Sequence, residues 1–152
     1  MTQKDRQPKA AADLYDPPLE LWPTGGVYQL WVWVSARVWV RVGRLGRCEF
    51  SPGWYVYTGR AARGLVARVG RHVNGARRRH WHIDYLLARR EVSIQRVVLA
   101  SDDAEQECAI NAAMGSEGDC VVPGFGSSDC RAGCAAHLWR RLHGVSRGTG
   151  WR

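Results

Sequence analysis

Gly26-Val27-Tyr28-Gln29-Leu30-Trp31-Val32-Trp33-Val34 is the stretch on which the fold turns. Its aromatic and β-branched side chains alternate with a period of two: Tyr28, Leu30, Val32 and Val34 point one way, and Val27, Gln29, Trp31 and Trp33 the other. Both faces are largely apolar, so this strand must be covered on both sides. Downstream, a turn near Ser35-Ala36 leads into Arg37-Val38-Trp39-Val40-Arg41-Val42-Gly43. There Val38, Val40 and Val42 oppose Arg37, Trp39 and Arg41, which predicts a strand with one wet face, antiparallel to the first. Gly43, Gly46 and Pro52-Gly53 punctuate a bend before a third strand over Trp54 to Thr58.

After Gly59 the period changes. Ala62 to Val73 reads as a helix whose apolar side carries Leu65, Val66, Val69 and Val73, stopped by Asn74-Gly75. A short helix follows over WHIDYLLARR, then a fourth strand over EVSIQRVVLA, then a helix from Asp102 to Met114 with Ser101 as its cap. The last stretch is rich in turn residues, and within it only AAHLWRRL has helical character. The fold class is therefore α/β in the broad, α+β sense. Residues 1–24, mixed in charge and ending in Pro17-Pro18 and Pro23, read as a flexible N-terminal arm that can set Leu19, Leu21 and Trp22 against the domain. The domain proper covers residues 25–143, and residues 144–152 form a short tail.

With 152 residues, 45% of them hydrophobic and eight Trp among them, the chain has material for one core and is not a disordered polymer. The apolar run Val27 to Val34 is too short to cross a bilayer. The polar start of the chain lacks the apolar segment of a secretory signal, and five cysteines are an odd number. Both point to free thiols and a cytoplasmic location.

Basic residues outnumber acidic ones 22 to 14, and after Lys9 every one is arginine, the planar fork suited to phosphate and carboxylate. Genome composition alone can produce such arginine usage; its clustering is the stronger signal. Arg60, Arg63, Arg68, Arg71, Arg77, Arg78 and Arg79 fall in one stretch without an acid, and helical spacing brings Arg68, Arg71 and His72 toward one solvent-facing side. Such a face is either simply solvated or built for an external polyanion.

His80, His82 and Asp84 form an H-x-H-x-D stretch that could hold a metal if extended; capped or hydrogen-bonded histidines are the commoner outcome. Cys120, Cys130, Cys134 and His137 could supply four soft ligands to a structural zinc. Because Cys130-x3-Cys134-x2-His137 is not a pair of C-x2-C knuckles, small packing thiols are the favoured reading. Cys48 and Cys108 read as core filler.

Taken together, Gly26-Val27-Tyr28, Tyr57-Thr58-Gly59 and the Gly64-to-His72 stretch G-L-x-x-R-x-x-R-H resemble the motifs of the GIY-YIG nuclease superfamily. GWYVYTGRA, RRHWHIDYLL, ECAI and PGFGSSDC are similar to its DUF123 branch, from about Gly25 to Leu142. The resemblance implies a small mixed, largely antiparallel sheet flanked by helices and a metal-dependent endonuclease hydrolysing DNA phosphodiester bonds. It implies that Tyr28 activates water, Tyr57 positions water or phosphate, Arg68 contacts the scissile phosphate, His72 supports the geometry, and Glu107, rather than Glu105, holds Mg2+ or Mn2+. Arg60, Arg63, Arg71, Arg77, Arg78 and Arg79 would bind nucleic acid. The two tyrosine motifs stand further apart than in many members, which requires an expanded hairpin around Arg37 to Cys48, and Ser127, Ser128 or Asp129 stands where an asparagine is often found.

DNA is thus the expected partner, with RNA open, and a membrane is not. Two strands to cut would favour a homodimer, and a partner repair protein is a further option. The alternative is a nucleic-acid-binding module that keeps the fold without cleaving; a third reading is a domain whose arginine face meets an acidic protein.

Overall fold

The computed structural model describes residues 11–75 and 78–141; Arg77 and the 144–152 tail of the sequence reading lie outside them. The first strand is the centre of the molecule. β2 (Gly26–Val34) pairs antiparallel along its whole length with β5 (Gly53–Ala61), from Gly26 opposite Ala61 to Val34 opposite Gly53. Its other edge pairs antiparallel with β6 (Val92–Ser101), with irregularities between Val27 and Tyr28 and between Trp31 and Val32. The six-stranded sheet runs β1-β6-β2-β5-β8-β7, where β1 is Tyr15–Asp16, β7 Gly118–Asp119 and β8 Leu138–Arg141. Only β1 is parallel to its neighbour. The fold is thus α+β with a mostly antiparallel sheet, as expected.

The alternation within β2 sorts two cores. Tyr28, Leu30, Val32 and Val34 enter the larger one with Leu65, Val69, Ile83, Leu86 and Phe125. Trp31 faces the other side with Val56 and Val98, and Met114 packs against them. Each fully buried Val or Leu of these clusters contributes roughly 1.5–3 kcal/mol relative to exposure.

The wet strand is β3 (Val38–Arg41). Its face is as expected, with Val38 and Val40 buried and Trp39 46% exposed. Its pairing is not: β3 joins β4 (Arg47–Phe50) in a separate two-stranded sheet. Both edges of β2 are already taken by β5 and β6, so the expanded hairpin has to satisfy its own backbone.

A second correction concerns AAHLWRRL. Leu138–Arg141 is strand β8, paired with β5 from Tyr57 opposite Leu138 to Trp54 opposite Arg141. The free edge of β5 offers a ladder that a short isolated helix cannot match. Asn111 locks the approach: its Nδ2 donates to Ala136 O at 2.7 Å, and its Oδ1 accepts from Trp139 Nε1 at 2.9 Å.

The helices begin later than their sequence patterns suggest. α2 spans Leu65–Asn74 and α3 His82–Leu87. α4 spans Glu107–Gly115 and follows a 3-10 turn over Ala104–Gln106. Asp103, not Ser101, caps that turn, accepting from Glu105 N at 3.0 Å, while Ser101 ends β6.

Part of the stretch read as a loose arm is folded onto the domain. A one-turn helix α1 (Ala11–Leu14) leads into β1, which is tied to β6 by backbone register and by Asp16 Oδ2 to Arg96 Nη2 at 3.0 Å. Trp22 is buried, stands edge-on to Tyr15 and donates to Pro17 O at 2.8 Å. Leu21, in contrast, stays 67% exposed.

One glycine sets the seat of the site. Gly59 lies directly opposite Tyr28, and a Cβ there would sit 2.5 Å from both Cζ and the hydroxyl of the phenol. The ring is 1% exposed and hydrogen-bonded, so it cannot retreat cheaply. Gly59→Ala is expected to destabilise the fold by about 1–3 kcal/mol through overpacking. Urea unfolding measures this, and wild-type stability in the variant would show that the ring is not seated there.

Candidate active site

Tyr28 reaches from β2 across Gly59 to α2, where its hydroxyl meets His72 Nε2 at 2.9 Å. The sequence reading set His72 beside Arg68 and Arg71 on the wet side of the helix; it is instead 3% exposed and faces inward. Leu65, Val69 and His72 follow at helical spacing and form the buried stripe of α2. His72 Nδ1 faces Asp84 Oδ1 of α3 at 3.4 Å. With the ring proton on Nδ1, on the carboxylate side, Nε2 accepts from the phenol. The result is a buried Asp84–His72–Tyr28 chain.

Asp84 is not a metal ligand of an H-x-H-x-D motif. Its Oδ2 accepts from the backbone N–H groups of His80 at 2.8 Å and Trp81 at 2.9 Å, and lies 3.5 Å from Arg71 Nη2. His80 is exposed. His82 accepts from Gly126 N at 2.8 Å, and burial lowers its pKa. The three therefore serve a helix start and a loop contact.

Tyr57 of β5 stands beside this chain, its ring centroid 6.3 Å from Tyr28 and 6.4 Å from His72. Gly126, with φ near +73°, closes over it: a Cβ there would sit 3.0 Å from the Tyr57 ring. The PGFG turn, with Phe125 fully buried, is thus a lid of backbone on the aromatic floor.

The rim is charged. The Arg68 guanidinium lies over Trp81 at 4.2 Å from the ring centroid, and that of Arg71 shares the ring at 4.9 Å. Arg68 Nη1 donates to Arg60 O at 3.0 Å. Arg60 in turn lies 3.9 Å from Glu107 Oε1 and 3.6 Å from Glu105 Oε1. Glu107 opens α4 with a side chain 19% exposed, and its Oε2 is 3.6 Å from His137 Nδ1; Glu105 is 83% exposed and further out. Arg63, Arg78 and Arg79 are exposed.

Electrostatics ties floor to rim. Burial pushes the Tyr28 phenol well above its ordinary value; Arg68 relieves part of that, and Glu107 and Asp84 add to it. Tyr57 is driven up chiefly by burial as well, with Tyr28 and Glu107 adding to it. Burial also raises Glu107, against His137, Arg60 and Arg68. Tyr28 thus touches His72 and Tyr57, and both phenols feel the charges of Arg68 on α2 and Glu107 on α4. Both phenols are neutral, and the charges that act on them are those of Arg68, Glu107 and Asp84.

Across residues 27–147 the sequence matches the family described as Domain of unknown function DUF123. The chain belongs to the DUF123 family. No curated protein and no solved structure matches it. The matched region of this DUF123 chain contains Tyr28, Tyr57, Arg68, His72 and Glu107, together with the stacking Trp81, to which the sequence reading assigned no role, and Asp84, which it offered only as a metal ligand. Among the described residues no helix is long and apolar enough to cross a membrane.

A second cluster adjoins Glu107. Cys108, Cys130, Cys134 and His137 bring one ligand atom each within 4.8 Å of one another. Cys108 takes the place that the sequence reading gave to Cys120, because α4 carries it against the loop before β8.

Asp84 makes the pH response of the fold predictable. Burial raises its carboxyl, but His72 and the N–H groups of Trp81 and His80 outweigh burial and hold it at about 2. In the unfolded chain it returns to about 3.9. Its stabilisation is therefore complete above the unfolded value and disappears as pH falls through the folded one. Asp84→Asn should lower neutral-pH stability by on the order of 1–3 kcal/mol and flatten the acid limb of the stability curve. Urea midpoints between about pH 2 and pH 7 measure it, and an unchanged acid limb would refute the assignment.

Proposed function

We propose that this DUF123 chain is a GIY-YIG-type phosphodiesterase that cuts DNA with Mg2+ or Mn2+. The observation that carries the reading is that Arg68 and Glu107 both act on the buried, paired phenols of Tyr28 and Tyr57. A phosphodiester anion repels a nucleophile until its charge is masked, so positioning and charge stabilisation are most of what such a protein must supply.

Arg68 gives one nitrogen to Arg60 O, also bonds the Tyr28 side chain and rests on Trp81; in this reading its remaining N–H groups take the phosphate. The donor set suits a hard cation: the Glu107 carboxylate has Arg60 at 3.9 Å and the His137 ring at 3.6 Å, both beyond close hydrogen-bond distance, so its oxygens keep lone pairs free. Glu107 would hold the ion, which when bound supplies positive charge to phosphoryl and leaving oxygens. Tyr28 is too strongly buried to work as a phenolate. In this reading it relays: as the attacking water loses its proton to the phenol oxygen, the phenol proton passes to His72 Nε2, and Asp84 stabilises the imidazolium. Tyr57 lines the floor beside it and fixes where the water sits.

The surroundings suit an extended polyanion. Arg41, Arg79, Arg89 and Arg90, with Trp39 and Tyr85, line a groove of about 780 Å³ between the expanded hairpin and α3, in which Glu91 pairs with Arg89 and Arg90 and leaves Arg41 and Arg79 as the excess charge. Such alternation of guanidinium and ring favours a nucleic-acid strand.

One observation favours the non-catalytic module instead: Tyr28 and Tyr57 are only 1% and 5% exposed, which leaves water little access. A cleavage assay decides. With Mg2+ or Mn2+ the chain should cut labelled DNA, and Arg68→Ala or Glu107→Gln should each slow cutting by on the order of 10²–10³-fold, as for loss of a charge-stabilising group. Glu107→Gln should still bind. Salt-sensitive binding without cutting under any divalent ion would establish the module, and no cutting with no polyanion affinity would sink both.

The binding itself has a salt signature. For duplex DNA, logarithmic affinity should fall against logarithmic salt with a slope of about −0.9 per phosphate engaged, and removing Arg63 or Arg78 should reduce it by about one contact each. Fluorescence anisotropy at several salt concentrations reads the slope; a flat line would exclude the arginine face as a phosphate track.

A further inference from the structure

The loop between β7 and β8, residues 120–137, contains no helix or strand, yet it must hold Gly126 over Tyr57 and deliver β8 to the sheet. Phe125 and Ala136 are its buried apolar anchors, with Val121 and Val122 packed at the core's edge. At its far end Cys130 and Cys134 come together with Cys108 of α4 and with His137, the residue before β8.

We propose that Cys108, Cys130, Cys134 and His137 form a structural zinc site that staples this loop to the first turn of α4. The four ligand atoms lie within 4.8 Å of one another, and Cys108 Sγ and Cys130 Sγ are 3.5 Å apart. In a tetrahedron with Zn–S near 2.3 Å, ligand atoms stand about 3.5–4 Å apart, so a contraction of about 1 Å at the widest pair completes it. Three sulfurs and an imidazole are a soft set that selects zinc over the hard cation expected at Glu107.

His137 provides the independent observation. Its ring is 1% exposed, and its Nδ1 faces Thr58 O at 3.2 Å and Glu107 Oε2 at 3.6 Å. Its Nε2 is buried with no hydrogen-bond partner. A histidine that gives Nδ1–H to a carbonyl or carboxylate keeps an Nε2 lone pair for a metal, the usual outer arrangement at zinc. The His137 ring, and after it the backbone N–H groups of Cys134 and Ala132, turn toward the Cys130 sulfur, the surroundings a thiolate ligand requires. On binding, Zn2+ would displace the thiol protons to solvent. The ion would also fix the carboxylate of Glu107 through His137, so the staple and the proposed active site share a residue contact. The staple itself does not depend on the phosphodiesterase reading.

The test is metal content and ligand identity, with no activity readout. The full chain, purified under reducing conditions without chelator, should carry about one zinc by plasma mass spectrometry. Cys108→Ser, Cys134→Ser and His137→Ala should each lose it, while Cys120→Ser, outside the cluster, keeps it. Because those variants could fail to fold, the wild-type chain is also stripped with chelator and titrated with Co2+. Saturation at about one equivalent, with the thiolate charge-transfer bands of tetrahedral cobalt and a raised melting temperature, is expected. A chain without zinc that gives no cobalt–thiolate absorption, or one isolated from reducing conditions with Cys108 and Cys130 joined as a disulfide, overturns the proposal.

Discussion

Tyr28 can lie across the sheet only because its register partner, Gly59, carries no side chain. That single omission lets the phenol cross from β2 to the buried stripe of α2 and meet His72. The register is held from both sides, by nine paired residues along β5 and by β6 on the other edge, so the hydroxyl position is fixed by the most covered strand of the molecule. His72 then aims Asp84, Asp84 organises the start of α3, and α3 presents Trp81 as the plate on which Arg68 and Arg71 rest.

Burial divides the site into two layers with different electrical duties. The phenols are raised by desolvation and stay neutral, whereas Arg68 and the less deeply buried Glu107 carry the charge. A neutral relay beneath a charged rim accounts for a buried tyrosine in a site proposed for hydrolysis: the phenol never has to exist as an isolated buried anion, whose cost would be prohibitive.

What the sequence made legible was whatever depends on local period. The alternation of GVYQLWVWV yields both faces of β2, and the apolar spacing of Leu65, Val69 and Val73 yields α2, while Val66, read on the same side, stands 39% exposed. What it hid depends on distant edges. AAHLWRRL reads as a helix until the open edge of β5 is known, and RVWVRVG seems a partner for β2 until β6 occupies that place. Cys120 looked closer to Cys130 than Cys108 does, since chain distance is all a spacing can measure, and α4 reverses the order in space. His72 counted as a wet residue because its polarity outweighed its position on the buried stripe; Tyr28, 44 positions away, is the partner that makes its burial tolerable. Tyr28, Tyr57, Arg68 and Glu107 were singled out by motif resemblance, and the contact of Tyr28 with His72 and Tyr57 needed the fold.

The central claim, that one site grips a phosphodiester above the two phenols, is tested most directly by a crystal structure of Glu107→Gln with a DNA duplex bound. The account predicts a backbone phosphate within hydrogen-bond reach of the Arg68 fork, over Tyr28 and Tyr57, with the strand continuing along the arginine surface. DNA seated on another face, with Arg68 and the substituted position 107 in solvent, would contradict it.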